Sequence, residues 1–433
     1  MSRLPHMLFL SVLIMGCSNE VEEVAPPAKT SIASANKAES PLELGFIAFG
    51  DSGYHTDYLK EKQFTPLKPT RQDFIDFEYA EWIKKGHKPE DFVPPPSEFV
   101  EAVGSMVDAS GLYPVADAMK SFCLKEECEF SVMLGDNIYP DGATVGADGK
   151  DDTTRFDDIF TKPLGGLGQG NPDYRIYTAL GNHDWDTSRE GAMAQVEFMQ
   201  TNKPFYMDGI FYTVKPPAAM GDIEIFVIDT DVMLAGETVL DAELNPDGSE
   251  ATDLEVDKPD PWKVPQNSDE RNMASWLEEK LKNSTAKWKF VIGHHPIWSS
   301  GGSKFEQAKV IRRMIMPAMC QYADIYFAGH EHSLELHEDS CEAEIGKGKN
   351  KPLLQVLSGA AAKQRPVHKA FKAYQDATYP QNKAIFVQGM TWGFSHIQLS
   401  GDMATIRMLT TPNDGSGKVN LEYTYQYPRR TGN

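Results

Sequence analysis

Five times along this chain a short apolar, β-branched or aromatic run breaks off at a glycine and meets a residue able to bind a metal. Leu44–Phe49 leads to Gly50-Asp51, and Phe130–Leu134 to Gly135-Asp136. Arg175–Leu180 leads to Gly181-Asn182-His183, Trp288–Ile292 to Gly293-His294-His295, and Ala323–Ala328 to Gly329-His330-Glu331-His332. Runs of this length and composition are buried strands. In open α/β sheets ligands bind beyond the carboxyl ends of the strands. A glycine there lets the backbone turn sharply and crowd against a bound group. One strand ending in Gly-Asp means little. Asp, Asp, Asn-His, His-His and His-x-His at five strand ends point to a metal site.

Further strands are expected at Ile223–Ile228, Leu353–Leu357 and Ser395–Leu399. Between the strands lie helical patterns. Asn272–Leu281 sets Met273, Trp276, Leu277 and the stem of Lys280 on one face, and Lys304–Cys320 sits between two strands. Alternating strands and helices give an α/β fold, and the surplus strands call for two packed sheets. With 433 residues, 41% hydrophobic and 24% charged, the chain has globular rather than disordered composition.

The ligand-capable groups are Asp51, Asp136, Tyr139, Asn182, His294, His330 and His332. They suffice for two ions if one carboxylate is shared. Two ions ~3.5–4 Å apart clamp the attacking and leaving oxygens of an in-line phosphoryl displacement and acidify bound water. Mixed imidazole and carboxylate donors suit iron, zinc or manganese. A cysteine-based structural zinc site does not fit, because the cysteines lie elsewhere. Among the other histidines, His55 is at most a neighbour of the ligands, His87, His337 and His368 are read as surface residues, and His396 as a packed strand residue. Asp229 and Asp231 follow a strand but match no ligand position.

At these residues the sequence resembles the metallophosphoesterases, and among them the purple acid phosphatases. The segments that carry the resemblance are Gly50-Asp51-Ser52-Gly53, Gly135-Asp136-Asn137-Ile138-Tyr139, Gly181-Asn182-His183-Asp184, Gly293-His294 and Gly329-His330-Glu331-His332. Shorter matches at Thr154-Arg155-Phe156, Pro204-Phe205-Tyr206, Ile228-Asp229-Thr230 and Leu357-Ser358-Gly359-Ala360 extend it over about Phe46 to Met408, closest to the small single-domain branch. Relatives outside the purple group begin with Asp-x-His; here Ser52-Gly53 follows Asp51, and Tyr139 supplies the missing ligand. The resemblance implies a four-layer α/β/β/α sandwich, two mixed sheets flanked by helices. It also implies iron(III) on Asp51, Asp136, Tyr139 and His332, with iron(II), zinc or manganese on Asp136, Asn182, His294 and His330. His183 then faces the substrate, where it can orient phosphate or protonate the leaving oxygen. The small branch places a second substrate histidine nine residues after the ligand equivalent to His294. Here that position is Ser303, so His295 or Lys304 is expected to stand in.

The amino terminus addresses the compartment. Met1 to Cys17 reads as one arginine, an apolar run from Met7 to Met15, then Gly16-Cys17. That is the layout of a secretory signal, and its ending resembles a bacterial lipobox. Residues 1–16 are then a leader and Cys17 the lipid anchor. Residues 17–43, rich in Ala, Ser, Glu and Pro, form a flexible tether, and residues 44–433 a single catalytic domain. The expected location is the bacterial cell envelope, the membrane being met only through that lipid, with secretion as the alternative. Sequence-local pairing of the remaining cysteines gives Cys123–Cys128 and Cys320–Cys341; four reduced thiols are the alternative.

A formal charge of −21 excludes a general nucleic-acid binder and a polybasic membrane docker. Acidic stretches at Thr56–Ser110 and Glu237–Glu270 read as solvated insertions. A small phosphate ester is not excluded: with the metals bound, two carboxylates and a phenolate face five positive charges, so the site inverts the global sign. The expected activity is phosphomonoester hydrolysis at acidic pH by attack of a metal-bound hydroxide, without a phosphoenzyme. The alternatives are a phosphodiesterase or nucleotide pyrophosphatase on the same core, or a surface lipoprotein that binds metal or phosphate without turnover.

Overall fold

The structure is a computed structural model. It describes residues 42–55, 58, 76, 79–80, 82–83, 86–92, 97–100, 105–108, 110–146, 151–251, 255–302, 304–348, 351–412 and 418–430. The expected leader, Cys17, the tether up to Ser40, Ser303 and much of the Thr56–Ser110 insertion lie outside these residues.

Fourteen strands build two sheets. In chain order they are β1 (Glu43–Phe49), β2 (Phe130–Leu134), β3 (Ile176–Ala179), β4 (Phe205–Tyr206), β5 (Tyr212–Val214), β6 (Ile223–Val227) and β7 (Trp288–Ile292). Then follow β8 (Ile325–Ala328), β9 (Leu334–Asp339), β10 (Leu353–Ser358), β11 (Asn382–Gln388), β12 (Gly393–Ser400), β13 (Met403–Thr410) and β14 (Asn420–Pro428). The first sheet has the order β14-β13-β12-β1-β2-β3-β4, and the second β11-β9-β10-β8-β7-β6-β5. In the first, β1 to β4 run parallel; in the second, β6, β7, β8 and β10 do. The other pairings are antiparallel, so both sheets are mixed, as expected.

The sheets meet through aromatic side chains. Phe46 of β1 stacks on Phe130 of β2 at 4.5 Å and reaches across to Phe290 of β7 and Phe327 of β8 at 5.5 and 5.8 Å. Each ring removed from water contributes roughly 1.5–3 kcal/mol, which makes this seam a main source of cohesion between the sheets. Helices flank both sheets. Leu112–Cys123 packs by β12; Met273–Asn283 lies by β6 and against Phe305–Tyr322. The middle helix buries Met273, Leu277 and Leu281, while Lys280 turns to solvent, so the apolar stripe is narrower than its sequence suggests. Cys123–Cys128 and Cys320–Cys341 are disulfide-bonded.

His396, on β12 opposite Ile47, is buried as expected, and a ring nitrogen meets the Glu127 carbonyl at 2.9 Å. Burial pushes the imidazole down to about 4, against an ordinary value of 6.5. Between those values the unfolded chain binds a proton that the folded chain does not. Stability therefore falls as pH drops from 6.5 to 4, by up to about 3 kcal/mol from this group alone. His396→Gln keeps a donor for Glu127 and removes the titration. Its denaturant midpoint should be flatter across that window than the wild type's; an unchanged slope would show that other groups carry the effect.

Candidate metal centre

All five predicted ligand-bearing turns fall at the carboxyl ends of β1, β2, β3, β7 and β8, and they converge. Asp136 lies between two donor clusters. Its Oδ2 is 2.7 Å from the Tyr139 hydroxyl, which is 3.0 Å from Asp51 Oδ1 and 3.2 Å from His332 Nε2. Its Oδ1 is 3.2 Å from His294 Nε2, which in turn lies 3.2 Å from Asn182 Oδ1 and 3.1 Å from His330 Nδ1. The two groups the sequence assigned to separate ions are thus two clusters sharing one carboxylate.

The backbone is bent to achieve this. Asp51, Asp136 and His330 hold φ of 57°, 52° and 70°, the left-handed region that costs non-glycine residues roughly 1–3 kcal/mol each. Hydrogen bonds hold the bends: Asp51 N–H donates to Gly135 O at 3.0 Å, and His330 N–H to Asp51 Oδ2 at 2.8 Å. Glycines make room. A Cβ on Gly329 would lie 2.6 Å from Asp51 Oδ2, and one on Gly359 2.7 Å from the same atom.

Supporting groups aim the donors. The carbonyl of Leu134 can only accept, so His294 Nδ1 carries the hydrogen it donates at 2.8 Å and Nε2 turns its lone pair inward. Asp184, fully buried, accepts from the N–H groups of Gly181, Asn137 and Ile138 at 2.8–3.2 Å and so ties the β2 and β3 turns together. Arg155 is 1% exposed, and its guanidinium donates to the carbonyls of Tyr139, Asp141 and Gly142. Arg365 donates to Glu331 at 2.6 Å, between His330 and His332. Sequence reading missed these roles, although Asp184 and Arg155 stand inside segments it had singled out.

The donor set fits a pair of cations. Burial pushes the Asp51 carboxyl up to about 8, with the Asp136 charge adding to it. Burial opposes ionisation of Asp136 as well, but His294 and His183 outweigh it and hold that carboxyl well below its usual range. Tyr139 is driven well above the usual phenol range by burial and by both carboxylates. Such a crowd of inward-facing acceptors is stable as an ionised set only with positive charge among them. A third cluster, Cys320, Asp339 and Cys341, is no metal site, because its cysteines form a disulfide.

His183 sits beside the shared carboxylate. Its N–H donates to Asp136 Oδ1 at 3.0 Å, its Nδ1–H to Pro140 O at 2.5 Å, and its ring lies 4.4 Å from the Tyr139 ring. His295 does not occupy the substrate position expected of it. It is 1% exposed, its Nδ1 is 2.8 Å from Thr230 Oγ1, and its ring packs on His330 at 4.3 Å. Burial and the neighbouring His294 hold it well below the usual histidine range, so it is a neutral packing partner of a ligand. Lys304 does line the cleft beside Asn182 and His330, which has a volume of about 190 Å³.

Other expectations change too. His337 is wholly buried, 2.7 Å from Glu335, and His87 packs on Trp82, so neither is a surface residue. The Glu237–Glu270 stretch is not merely solvated: Val239 and Glu270 are buried, and Arg189 binds both Glu270 oxygens at 3.1 Å.

The calcineurin-like phosphoesterase family model matches residues 106–334, just over half of the chain. Purple acid phosphatase 4 of Arabidopsis thaliana is 24% identical over 63% of this chain and 68% of its own length. Purple acid phosphatase 7 of the same plant is 27% identical over 49% of this chain and 56% of its length, so the matched stretch spans about half to two thirds of these relatives. Among solved structures, the fold is similar to GAP50, the anchor in the inner membrane complex of Plasmodium, with TM-score 0.54, 14% identity and 90% of both chains covered. It is also similar to the purple acid phosphatase PPD1 from yellow lupin seeds, with TM-score 0.50, 13% identity, and 90% of this chain and 54% of that one covered. Strand-end ligands, two facing mixed sheets and the matched sequence agree: this chain belongs to the calcineurin-like phosphoesterase family, with purple acid phosphatases among its homologues.

Proposed function

We propose that the protein is a dinuclear-metal acid phosphatase of the small single-domain purple type, acting on phosphomonoesters. The observation that carries this reading is the pair of donor clusters joined through Asp136 and opening, at Asn182 and His330, into a cleft. The ions supply Lewis acidity and a nucleophilic water when bound, with iron(III) suited to the phenol of Tyr139 and divalent iron, zinc or manganese to the nitrogen-rich cluster. The chain's own groups do the rest. Leu134, Asp184 and Arg155 hold the donors still, which spares reorganisation when charge develops. His183 keeps its ring against Tyr139 and has Nδ1 committed to Pro140, leaving Nε2 to hold a proton for the departing alcohol.

The test is phosphate release from a monoester, a diester and pyrophosphate across pH, with metal analysis of the same sample. Monoester turnover highest below neutrality supports the proposal; a faster diester or pyrophosphate reaction replaces it with the other enzyme readings. Tyr139→Phe should abolish the visible charge-transfer absorption of the as-isolated protein while some hydrolysis persists. An unchanged spectrum would remove Tyr139 from the iron.

In the same reading the protein is exported and held on the bacterial envelope by a lipid at Cys17, which the two disulfides support because they persist in oxidising compartments. No helix among the described residues is long and apolar enough to cross a membrane. Cys17→Ser should move the protein from washed membranes to the soluble fraction, and a protein that stays with the membranes has another anchor.

A further inference from the structure

The insertion expected to be a solvated acidic loop instead lies against the short helix that begins with Asn182. Trp262 Nε1–H donates to Trp185 O at 2.8 Å, and Arg189 donates to the carbonyls of Trp262 and Val264 at 3.0 and 3.3 Å. Arg189 also stacks its guanidinium over the Trp185 ring at 5.0 Å. These contacts fix the backbone on both sides of Lys263, whose side chain is only 12% exposed.

Lys263 Nζ donates to Asp186 Oδ1 at 2.6 Å and lies 3.7 Å from Asp231 Oδ2. The other Asp186 oxygen, Oδ2, is 3.3 Å from His183 Nδ1. Among the described residues, Lys263 and His183 are the hydrogen-bond and ion-pair partners of the Asp186 side chain. Lys263 also lines the cleft together with Asn182 and His330. We infer that Lys263 is a positioning residue: through Asp186 it fixes the His183 ring at the cleft edge, so that an insertion remote in sequence completes the active site. This rests on the phosphatase reading for its kinetic consequence, though not for its structural one.

Asp186 is 29% exposed and ends a helix of one turn, so little else restrains it. Without the ammonium its carboxylate turns to water, and the His183 ring keeps Pro140 and its packing on Tyr139 but loses the second anchor at Nδ1. A reacting group misplaced by about 1 Å costs roughly a hundredfold in rate. Lysine holds the carboxylate as a point charge, so arginine, longer and planar, should restore part of the effect.

The experiment combines crystal structures with kinetics for Lys263→Met, Lys263→Arg, His183→Ala and the double variant Lys263→Met/His183→Ala. In Lys263→Met the His183 ring should leave its place 4.4 Å from the Tyr139 ring, with metal content unchanged. Its kcat should fall roughly tenfold or more at near-constant KM, Lys263→Arg should recover part of this, and adding His183→Ala should cost nothing further. A His183 ring that stays in place overturns the proposal, as does a loss that is the same with and without His183. A ring that moves without any change in turnover keeps the positioning role and instead refutes a part for His183 in phosphate release. If Lys263→Met does not fold, the ring position in Asp186→Asn decides, since that change keeps the size of the side chain and weakens the same link.

Discussion

Asp136→Asn should lower kcat/KM by roughly a thousandfold or more and strip metal from the protein while leaving it folded. The two halves of this expectation have separate causes. Asparagine has the shape of aspartate and is among the residues that tolerate the left-handed backbone, so φ of 52° at this position is no obstacle. The neighbours also remain partly satisfied, because the amide oxygen can still accept from either the His183 N–H or the Tyr139 hydroxyl. What disappears is the one carboxylate that, among the described residues, faces both clusters. Its two oxygens cannot be replaced by one amide oxygen and an amide nitrogen, which has no lone pair to offer a cation. Asp51 faces only the Tyr139 side, so Asp51→Asn should cost metal there first and less activity overall. Phosphate release and metal analysis on both variants make the comparison. Asp136→Asn within tenfold of wild type, or equal in effect to Asp51→Asn, would mean that Asp136 does not bridge.

Much of the metal centre was legible because its chemistry is concentrated in short segments. A strand of Val, Ile, Phe and Leu followed by glycine and a donor announces both its burial and its polarity, and β2 and β7 were read to the residue. The longer strands that the sequence does not announce, β9, β11, β13 and β14, carry charge. β9, Leu-Glu-Leu-His-Glu-Asp, is almost wholly buried, with Glu335 Oε1 accepting from Ser333 at 2.7 Å and Oε2 meeting both Ser300 N–H at 2.8 Å and His337 Nε2 at 2.7 Å. Ser333 and His337 are near in sequence, but Ser300 comes from a turn 35 residues earlier. Spacing alone does not announce that a run of four charged or titratable residues is compensated and buried. β14 at the sheet edge and β13 beside it alternate exposed and packed residues over much of their length, and charged or polar residues interrupt their apolar runs. The same limit hid Lys263: its meaning depends on Asp186, 77 residues earlier. His295 failed in the opposite direction. Adjacent to a ligand, it was read as available, whereas successive residues at a strand end point to opposite sides, and Thr230 takes its ring nitrogen.

Gly181→Ala should be nearly as damaging as loss of a ligand, although alanine adds one methyl group. Gly181 has φ −118° and ψ 178°, an extended conformation open to any residue, so backbone freedom is not why glycine stands here. The reason is proximity. A Cβ at this position would lie 2.3 Å from Asp136 N, 2.4 Å from Asp136 Oδ1 and 2.8 Å from His294 Cε1. The first of these is backbone, so no side-chain rotation relieves the overlap, and the β2 and β3 turns must separate. That movement carries Asp136 away from His294 and strains the bonds from Asp184 that join the two turns. Overpacking of this kind typically costs about 1–3 kcal/mol of stability, and displacement of the shared carboxylate by about 1 Å costs on the order of a hundredfold in rate. Gly221→Ala is the contrasting case: φ is 91° there, but nothing lies within 4 Å of the added carbon. It should lower stability by roughly 1–2 kcal/mol through backbone strain alone and leave kcat and metal content unchanged. Thermal unfolding and phosphate release on the two variants separate crowding from conformation. If Gly181→Ala behaves like Gly221→Ala, losing stability but keeping turnover, then the close approach of the two turns does not set the geometry of the metal centre.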